Sequence, residues 1–167
     1  MAVEWKKIAY KDDLDSHASQ HGVDGSDSVF PANPGADKYL MWDDDPGELV
    51  WGSTFVDRGD PVTYDWTIGD LTANDAWHEL VCSGIVPAGA KAILLLVLIR
   101  DDSAGQDIHF RKYGNTNSIN RAYMRTQVAN IYMSNTFVIP CSTSQSLEYM
   151  ISTGMDAVYI CIMGWWE

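Results

Sequence analysis

The sequence predicts an all-β protein in which an extended N-terminal segment with a β-hairpin precedes an antiparallel, jelly-roll-like β-sandwich of about eight strands. Three observations lead to this prediction. An uninterrupted apolar run occupies residues 92–99. Short β-like segments separated by turn residues fill the chain from residue 57 onward, whereas residues 1–56 are rich in Asp, Ser, Gly and Pro and show no apolar periodicity. The expected domains are therefore 1–56 and 57–167.

The apolar run lies between Lys91 and Arg100, after the turn-forming residues 86–90 and before the turn-like residues 101–105. It is too short to cross a bilayer and shorter than a typical helix. We predict a strand that is buried on both faces, because the run offers no polar face to water, and we place it in the middle of the sandwich. A buried helix is the alternative for an apolar run of this length.

Residues 1–56 contain one segment with a regular pattern. Two short apolar runs, 39–42 and 48–51, flank the Asp/Pro/Gly cluster at 43–47, which predicts a β-hairpin. A single hairpin is marginally stable in water. The N-terminal segment therefore cannot build its own core, and it must be disordered or pack against the second domain or another chain.

The second domain has strand-like segments in regular succession. In one of them Ile108 and Phe110 share a face and His109 and Arg111 take the other, which predicts a half-buried strand. The closing segment is apolar on both faces and is expected to be a second central strand or an interface strand. The predicted strands are 61–68, 76–82, 92–99, 106–113, 118–128, 131–139, 146–151 and 157–166.

Charge and cysteine content exclude several function classes. The net charge of -12, from 23 acidic and 11 basic residues, repels phosphate backbones and argues against nucleic-acid binding. The first residues lack the apolar core of a secretion signal, and no stretch is long enough for a transmembrane helix, so we expect no membrane partner. Cys82, Cys141 and Cys161 have no metal-ligand spacing and are expected to be buried free thiols, made in a reducing cytoplasm.

Motifs for catalysis are missing from the sequence, which has no nucleophile elbow, zinc-protease motif, P-loop or dinucleotide fingerprint. His78 and Glu79 are adjacent, so on a strand they point to opposite faces and cannot act together. Residues 43–45 and the pair Asp101 and Asp102 are interpreted as acidic turns, because they lack the ligand spacing of a calcium loop. We therefore expect no enzymatic activity and no cofactor.

Aromatic residues are more informative than the acidic ones. Seven Trp and eight Tyr exceed what a core of this size requires, so some must lie at interfaces or form sugar-binding platforms. Arg111, Arg121, Tyr123 and Arg125 lie in the most polar strands and are the candidates for a solvent- or partner-facing surface.

Two N-terminal stretches resemble a known family. Residues 35–51, with a strand ending in Trp-Asp-Asp and a Leu-x-Trp return, resemble a hairpin module of bacteriophage tail-fibre and related virion-fibre proteins. Residues 17–27 are similar to the His-Ala-x-x-His, Gly-Gly-x-Asp element of the same proteins, with departures at Val23 and Asp24. The resemblance implies a trimeric attachment or shaft segment on a virus particle, with neighbouring chains supplying the missing core.

His17 and His21 are the candidate metal ligands. Residues four apart share one face of a helical turn, so three chains around an axis would present six imidazoles to a transition-metal ion. A hydrogen-bonded turn or an exposed segment is the alternative.

From the resemblance and the small apolar content of residues 1–56, we expect a structural protein on a phage surface. It would be a short fibre, head fibre or decoration subunit, assembled as a homotrimer. Its N-terminal segment would dock on a capsid or tail protein, and its sandwich would project outward, where a host cell-surface glycan is the expected contact. A second hypothesis is a carbohydrate-binding, lectin-like β-sandwich. A third is a polysaccharide-cleaving enzyme, whose paired carboxylates the sequence cannot place.

Overall fold

The computed structural model of the chain describes residues 40–43 and 48–167, with side chains from residue 52 onward. Near the N-terminus, β1 (Leu40–Asp43) and β2 (Glu48–Trp51) pair antiparallel, with Leu40 opposite Trp51 and Asp43 opposite Glu48. This pairing confirms the predicted hairpin. The turn between its strands lies outside the described residues.

Nine strands from residue 55 onward form two antiparallel sheets, which confirms the predicted all-β sandwich. The five-stranded sheet has the order β3-β11-β6-β9, and β4 also pairs with β11. Its strands are β3 (Phe55–Asp57), β4 (Trp66–Thr67), β6 (Ala92–Arg100), β9 (Met133–Pro140) and β11 (Ala157–Trp166). The four-stranded sheet has the order β5-β10-β7-β8. Its strands are β5 (His78–Val81), β7 (Asp107–Lys112), β8 (Ala122–Arg125) and β10 (Ser146–Ile151).

The core lies between the two sheets and is filled by inward-pointing aliphatic side chains. On β6 every second residue is fully buried, and β7, β10 and β11 contribute in the same way. Each such Ile, Leu or Val stabilises the fold by about 1.5–3 kcal/mol relative to an exposed position. The fully buried members include Ile93, Leu95, Val97, Ile99, Ile108, Phe110, Leu147, Ile151, Val158, Ile160 and Ile162.

The strand β6 is central in its sheet, between β11 and β9, so the predicted strand is confirmed and the helix alternative is wrong. Its burial differs from the prediction. The inward residues are fully buried, whereas Leu94, Leu96 and Leu98 on the other face are only partly buried. The reason is that the second sheet covers one face only.

The closing strand β11 is also central, as predicted, with β6 on one side and β3 and β4 on the other. Its pairing with β6 shifts between Ile162 and Gly164, where Met163 forms a β-bulge. A Cβ atom at Gly164 would collide with the Phe55 ring and the Val56 carbonyl oxygen. The bulge therefore requires glycine for close packing against β3.

The segment 61–68 was predicted as a strand, and only Trp66–Thr67 pairs in the sheet. In this part of the chain, hydrogen bonds from side chains take the place of backbone hydrogen bonds between strands. Arg58 binds Asp65 through two guanidinium nitrogens and also donates to the carbonyl oxygen of Ile162. Asp65 in turn accepts the backbone N–H of Ile162 at 2.7 Å. Residues 58–65 therefore form a loop that is anchored to the bulge of β11.

The strand β7 was predicted to be half buried, and this is wrong at its centre. His109, on the face assigned to solvent, is only 5% exposed. The ring of Tyr123 stacks on it with centroids 5.4 Å apart, and Trp77 approaches its edge. Both rings come from outside β7, so the alternation within the strand could not reveal this cover.

Candidate functional site

The outer face of the five-stranded sheet carries a row of apolar side chains, which we call the leucine face: Leu94, Leu96, Leu98 and Met163. The antiparallel register places Leu96 opposite Cys161 and Leu98 opposite Tyr159, so apolar side chains continue onto β11. Met163 is the extra residue of the bulge and is 39% exposed. No second sheet of the described residues packs over this row, and the loop 58–65 lies beside Leu96 and Cys161.

Aromatic clusters lie at both ends of the leucine face. At one end the rings of Tyr64 and Tyr132 lie 4.9 and 6.2 Å from that of Tyr159. The guanidinium of Arg100 is 5.5 Å from the Tyr132 ring centroid. At the other end the Phe55 and Trp166 rings are 4.8 Å apart. Tyr64, Tyr132 and Phe55 are all exposed, so both clusters enlarge the apolar surface.

The distribution of charge separates this face from the opposite side of the sandwich. The side chains of the leucine face are uncharged, and the nearest charges are Arg100 and Asp57 at its rim and the Arg58–Asp65 ion pair beside Cys161. The outer side of the four-stranded sheet carries charge throughout, on Glu79, Asp107, Arg111, Arg125 and Glu148. A charge-depleted centre with aromatic residues around it is typical of the core of a protein interface.

The outer face of the five-stranded sheet, with the leucine face at its centre, has the area of a subunit contact. A nine-residue strand is about 30 Å long, and four adjacent strands cover a width of roughly 20 Å. The resulting footprint of about 600 Å² is of the order of the ~800 Å² that each partner buries in a standard interface.

A groove of about 750 Å³ lies beside the leucine face. Its floor is Leu96, Cys161 and Met163, and its wall is the loop that Arg58 and Asp65 anchor. The hydrogen bond to Asp65 raises the pKa of Arg58, so the guanidinium of the anchor stays charged. Val62 lies at the edge of the groove and is 94% exposed. The groove can receive an apolar group from a neighbouring molecule.

The predicted partner-facing residues lie on the outer side of the four-stranded sheet. Arg121, Tyr123 and Arg125 are exposed, as expected. Arg111 is not: its side chain is 10% exposed, donates to Glu148, and lies 3.9 Å from the Trp77 ring centroid. The prediction for Arg111 was wrong because its two partners come from other segments of the chain.

Asp107 is the centre of a polar network on this sheet. It accepts hydrogen bonds from His109 Nε2 at 3.0 Å, from Ser152 Oγ at 3.0 Å and from Arg125 at 2.7 Å. Burial opposes ionisation, but the bonds from Arg125 and Ser152 hold the pKa of Asp107 below its usual value. Ser152 donates to Asp107 and not to His109, so these residues do not form the serine–histidine pair of a catalytic triad.

His109 is neutral in this network. Burial lowers its pKa and outweighs the attraction of Asp107. Since a carboxylate can only accept, Nε2 carries the proton, and the lone pair of Nδ1 is buried with no partner among the described residues. The network therefore fixes β7 against β8 and β10.

The remaining sequence candidates have different outcomes. His17 and His21 lie outside the described residues, so the metal site at a trimer axis stays a prediction. Asp101 and Asp102 cluster with Asp156. Asp101 accepts the backbone N–H groups of Ser103 and Asp156, and Asp102 accepts the Ser103 hydroxyl. These bonds agree with the interpretation of this acidic pair as a turn.

The predicted buried free thiols are confirmed for Cys82, Cys141 and Cys161. Burial raises the pKa of the Cys82 thiol to about 12, so this thiol is unreactive at neutral pH. His78 and Glu79 point to opposite faces, as predicted: His78 bonds Asn74 on the inner side, and Glu79 is exposed. The described residues include no helix that is long and apolar enough to span a membrane.

No protein-family model matches the chain, and no curated protein sequence matches it. Among solved structures, the chain is similar to the coat protein of Tobacco streak virus, in a C2 crystal form and in a structure of the coat protein dimer. Both are 15% identical to this chain. The first superposes with a TM-score of 0.33, covering 68% of this chain and 83% of the coat protein. The second has a TM-score of 0.32, covering 68% and 81%.

Proposed function

We propose that the protein is a structural subunit of a virus particle, and specifically a short fibre, head fibre or decoration subunit of a phage. The observation that carries this proposal is the leucine face, a row of uncharged apolar side chains at the centre of a sheet face whose area suits a contact between subunits. The resemblance of residues 17–27 and 35–51 to virion-fibre modules supports the viral setting.

The assembly that we propose is a homotrimer. In an assembly with closed symmetry, the leucine face of every copy packs against a neighbouring copy. The face is then removed from water in all copies. The number three follows from the fibre resemblance. Residues 1–56 would dock on a capsid or tail protein, and the sandwich would project from the particle and contact the host surface.

Carbohydrate binding by an isolated sandwich module is the second candidate function. Tyr123 is 57% exposed and stacks on His109, beside the partly buried Trp77. An exposed ring above a rigid polar network is a surface that a sugar ring can cover. This candidate requires no assembly, so a stable monomer that binds a neutral sugar would favour it over the virion proposal.

Electron microscopy of labelled particles tests the virion proposal directly. Particles produced from the genome that encodes this chain would be incubated with a gold-labelled antibody raised against residues 55–167. We expect gold at fixed positions on the particle surface. The proposal would be contradicted if the protein were abundant in the infected-cell lysate while purified particles carried neither label nor the chain itself by mass spectrometry.

A further inference from the structure

The basic residues of the sandwich fall into two groups. Residues 52–167 contain seven Lys and Arg side chains. Four of them form ion pairs with carboxylates: Arg58 with Asp65, Arg100 with Asp156, Arg111 with Glu148 and Arg125 with Asp107. The other three, Lys91, Lys112 and Arg121, have no carboxylate partner within the part of the chain that the structure describes. All three are exposed.

The three unpaired cations line two adjoining clefts. One cleft, of about 520 Å³, holds Lys112 and Arg121 and lies where β7 and β8 face β9 across the edge of the sandwich. The other, of about 310 Å³, holds Lys91 and Lys112. Lys112 lines both, so the two clefts are neighbours. No Asp or Glu of the described residues lines either cleft, in a protein whose net charge is -12.

The uncharged residues of the clefts indicate which chemical groups a ligand would carry. Asn115 and Asn120 line the larger cleft, and their amide groups make no hydrogen bond within the described residues. An amide both donates and accepts, which suits hydroxyl groups, whereas the cations suit carboxylate or phosphate. Ile119 and Pro140 add an apolar wall. The combined volume is in the range of small-ligand sites.

We propose that these adjoining clefts bind an acidic saccharide, a glycan whose units carry carboxylate or phosphate groups beside their hydroxyls. The proposal rests on the host-contact role given above and names the ligand class for it. A single-stranded nucleic acid fits less well. The long-range field of the protein repels it. Among the described residues, the one aromatic ring that lines the clefts is that of Phe110, which is fully buried and cannot stack on a base.

Calorimetric titration of the full-length chain tests the proposal with three probes. Oligogalacturonate supplies carboxylates, a glycerol-phosphate oligomer supplies phosphates, and a neutral maltooligosaccharide is the reference. We expect one or both acidic probes to bind, with an affinity that falls as salt is added, and the neutral probe not to bind. The stronger acidic probe identifies the anionic group. Absence of binding by both acidic probes at low salt would overturn the proposal.

Three variants locate the site. Lys112→Gln and Arg121→Gln each remove one charge from the clefts, and we expect each to weaken binding of the acidic probe about tenfold. Arg125→Gln removes one exposed charge on the outer side of the four-stranded sheet, lines neither cleft, and is the matched control, expected to bind like the wild type. Equal weakening in all three variants would show a general charge effect and contradict a site in the clefts. Light scattering on the same samples separates the two proposals, because a trimer that binds no acidic probe would overturn only this one.

Discussion

At the scale of single residues, His109 makes the stability of the sandwich depend on pH. Its pKa is lowered in the folded chain, so the unfolded chain takes up the proton first as the pH falls. The stability that a neutral His109 contributes is therefore complete above the ordinary value of 6.5 and is lost as the pH falls below it. Protonation would place an N–H at Nδ1, which has no acceptor among the described residues.

We expect the melting temperature of the wild type to fall as the pH is lowered from about 7 to about 5. His109→Gln keeps a donor for Asp107 but does not titrate, so its melting temperature should change less over the same range. Calorimetric melting curves of both proteins at matched ionic strength measure how each melting temperature changes with pH. Parallel pH profiles for the two proteins would rule out His109 as the source of the dependence.

Gly164 gives a second prediction at this scale. Gly164→Ala places a methyl group against the Phe55 ring and the Val56 carbonyl oxygen, so we expect a loss of roughly 1–3 kcal/mol in the free energy of unfolding. Gly84→Ala is the control, because a Cβ atom there has no heavy atom within 4 Å. Urea unfolding measures both variants. A Gly164→Ala protein as stable as the control would mean that β3 does not pack tightly on the bulge.

At the scale of elements, neighbouring residues of β6 have different roles because they point to opposite faces of the sheet. Leu95 is fully buried between the sheets, and its neighbour Leu96 lies on the leucine face. We expect Leu95→Ala to reduce the free energy of unfolding by about 2–5 kcal/mol while the protein still assembles. Leu96→Ala should weaken assembly more than it weakens the fold.

Urea unfolding and light scattering, both applied to the two variants, separate these effects. The assignment of faces would be wrong if Leu96→Ala caused the larger loss of folding stability, or if Leu95→Ala alone reduced the mass of the assembly.

The sequence predicted strands best where the apolar residues of one segment were enough to indicate a central strand. The run at 92–99 and the closing segment at 157–166 are apolar enough to specify central strands without their neighbours. The prediction of burial on both faces of β6 also pointed to the leucine face, whose side chains the second sheet leaves uncovered.

Predictions failed where the structure depends on side chains from distant segments. The segment 61–68 became mostly loop because Arg58 and Asp65 bind each other and the backbone of Ile162. Arg111 was predicted to face solvent, and Trp77 and Glu148 cover it. The groove beside the leucine face depends on the same anchored loop and on the bulge at Met163, so no local pattern could predict it.

At the scale of the whole sandwich, charge divides the surface into areas with different proposed roles. The leucine face has an uncharged centre, the clefts of Lys91, Lys112 and Arg121 are basic, and the outer side of the four-stranded sheet pairs its charges internally. Val138 belongs to the wall of the larger cleft and lies opposite Leu94 on β6. The proposed saccharide site therefore lies at the edge of the proposed subunit contact.

The mass of the purified chain in solution, measured by light scattering after size exclusion, tests the subunit contact most directly. We predict three times the chain mass of 18.6 kDa for the wild type and for Val81→Glu, which adds a charge to an exposed position on the other sheet. For Leu96→Glu, which adds the same charge to the centre of the leucine face, we predict a folded protein of one chain mass. A wild type of one chain mass at micromolar concentration, or a Leu96→Glu protein that remains trimeric, would contradict the account.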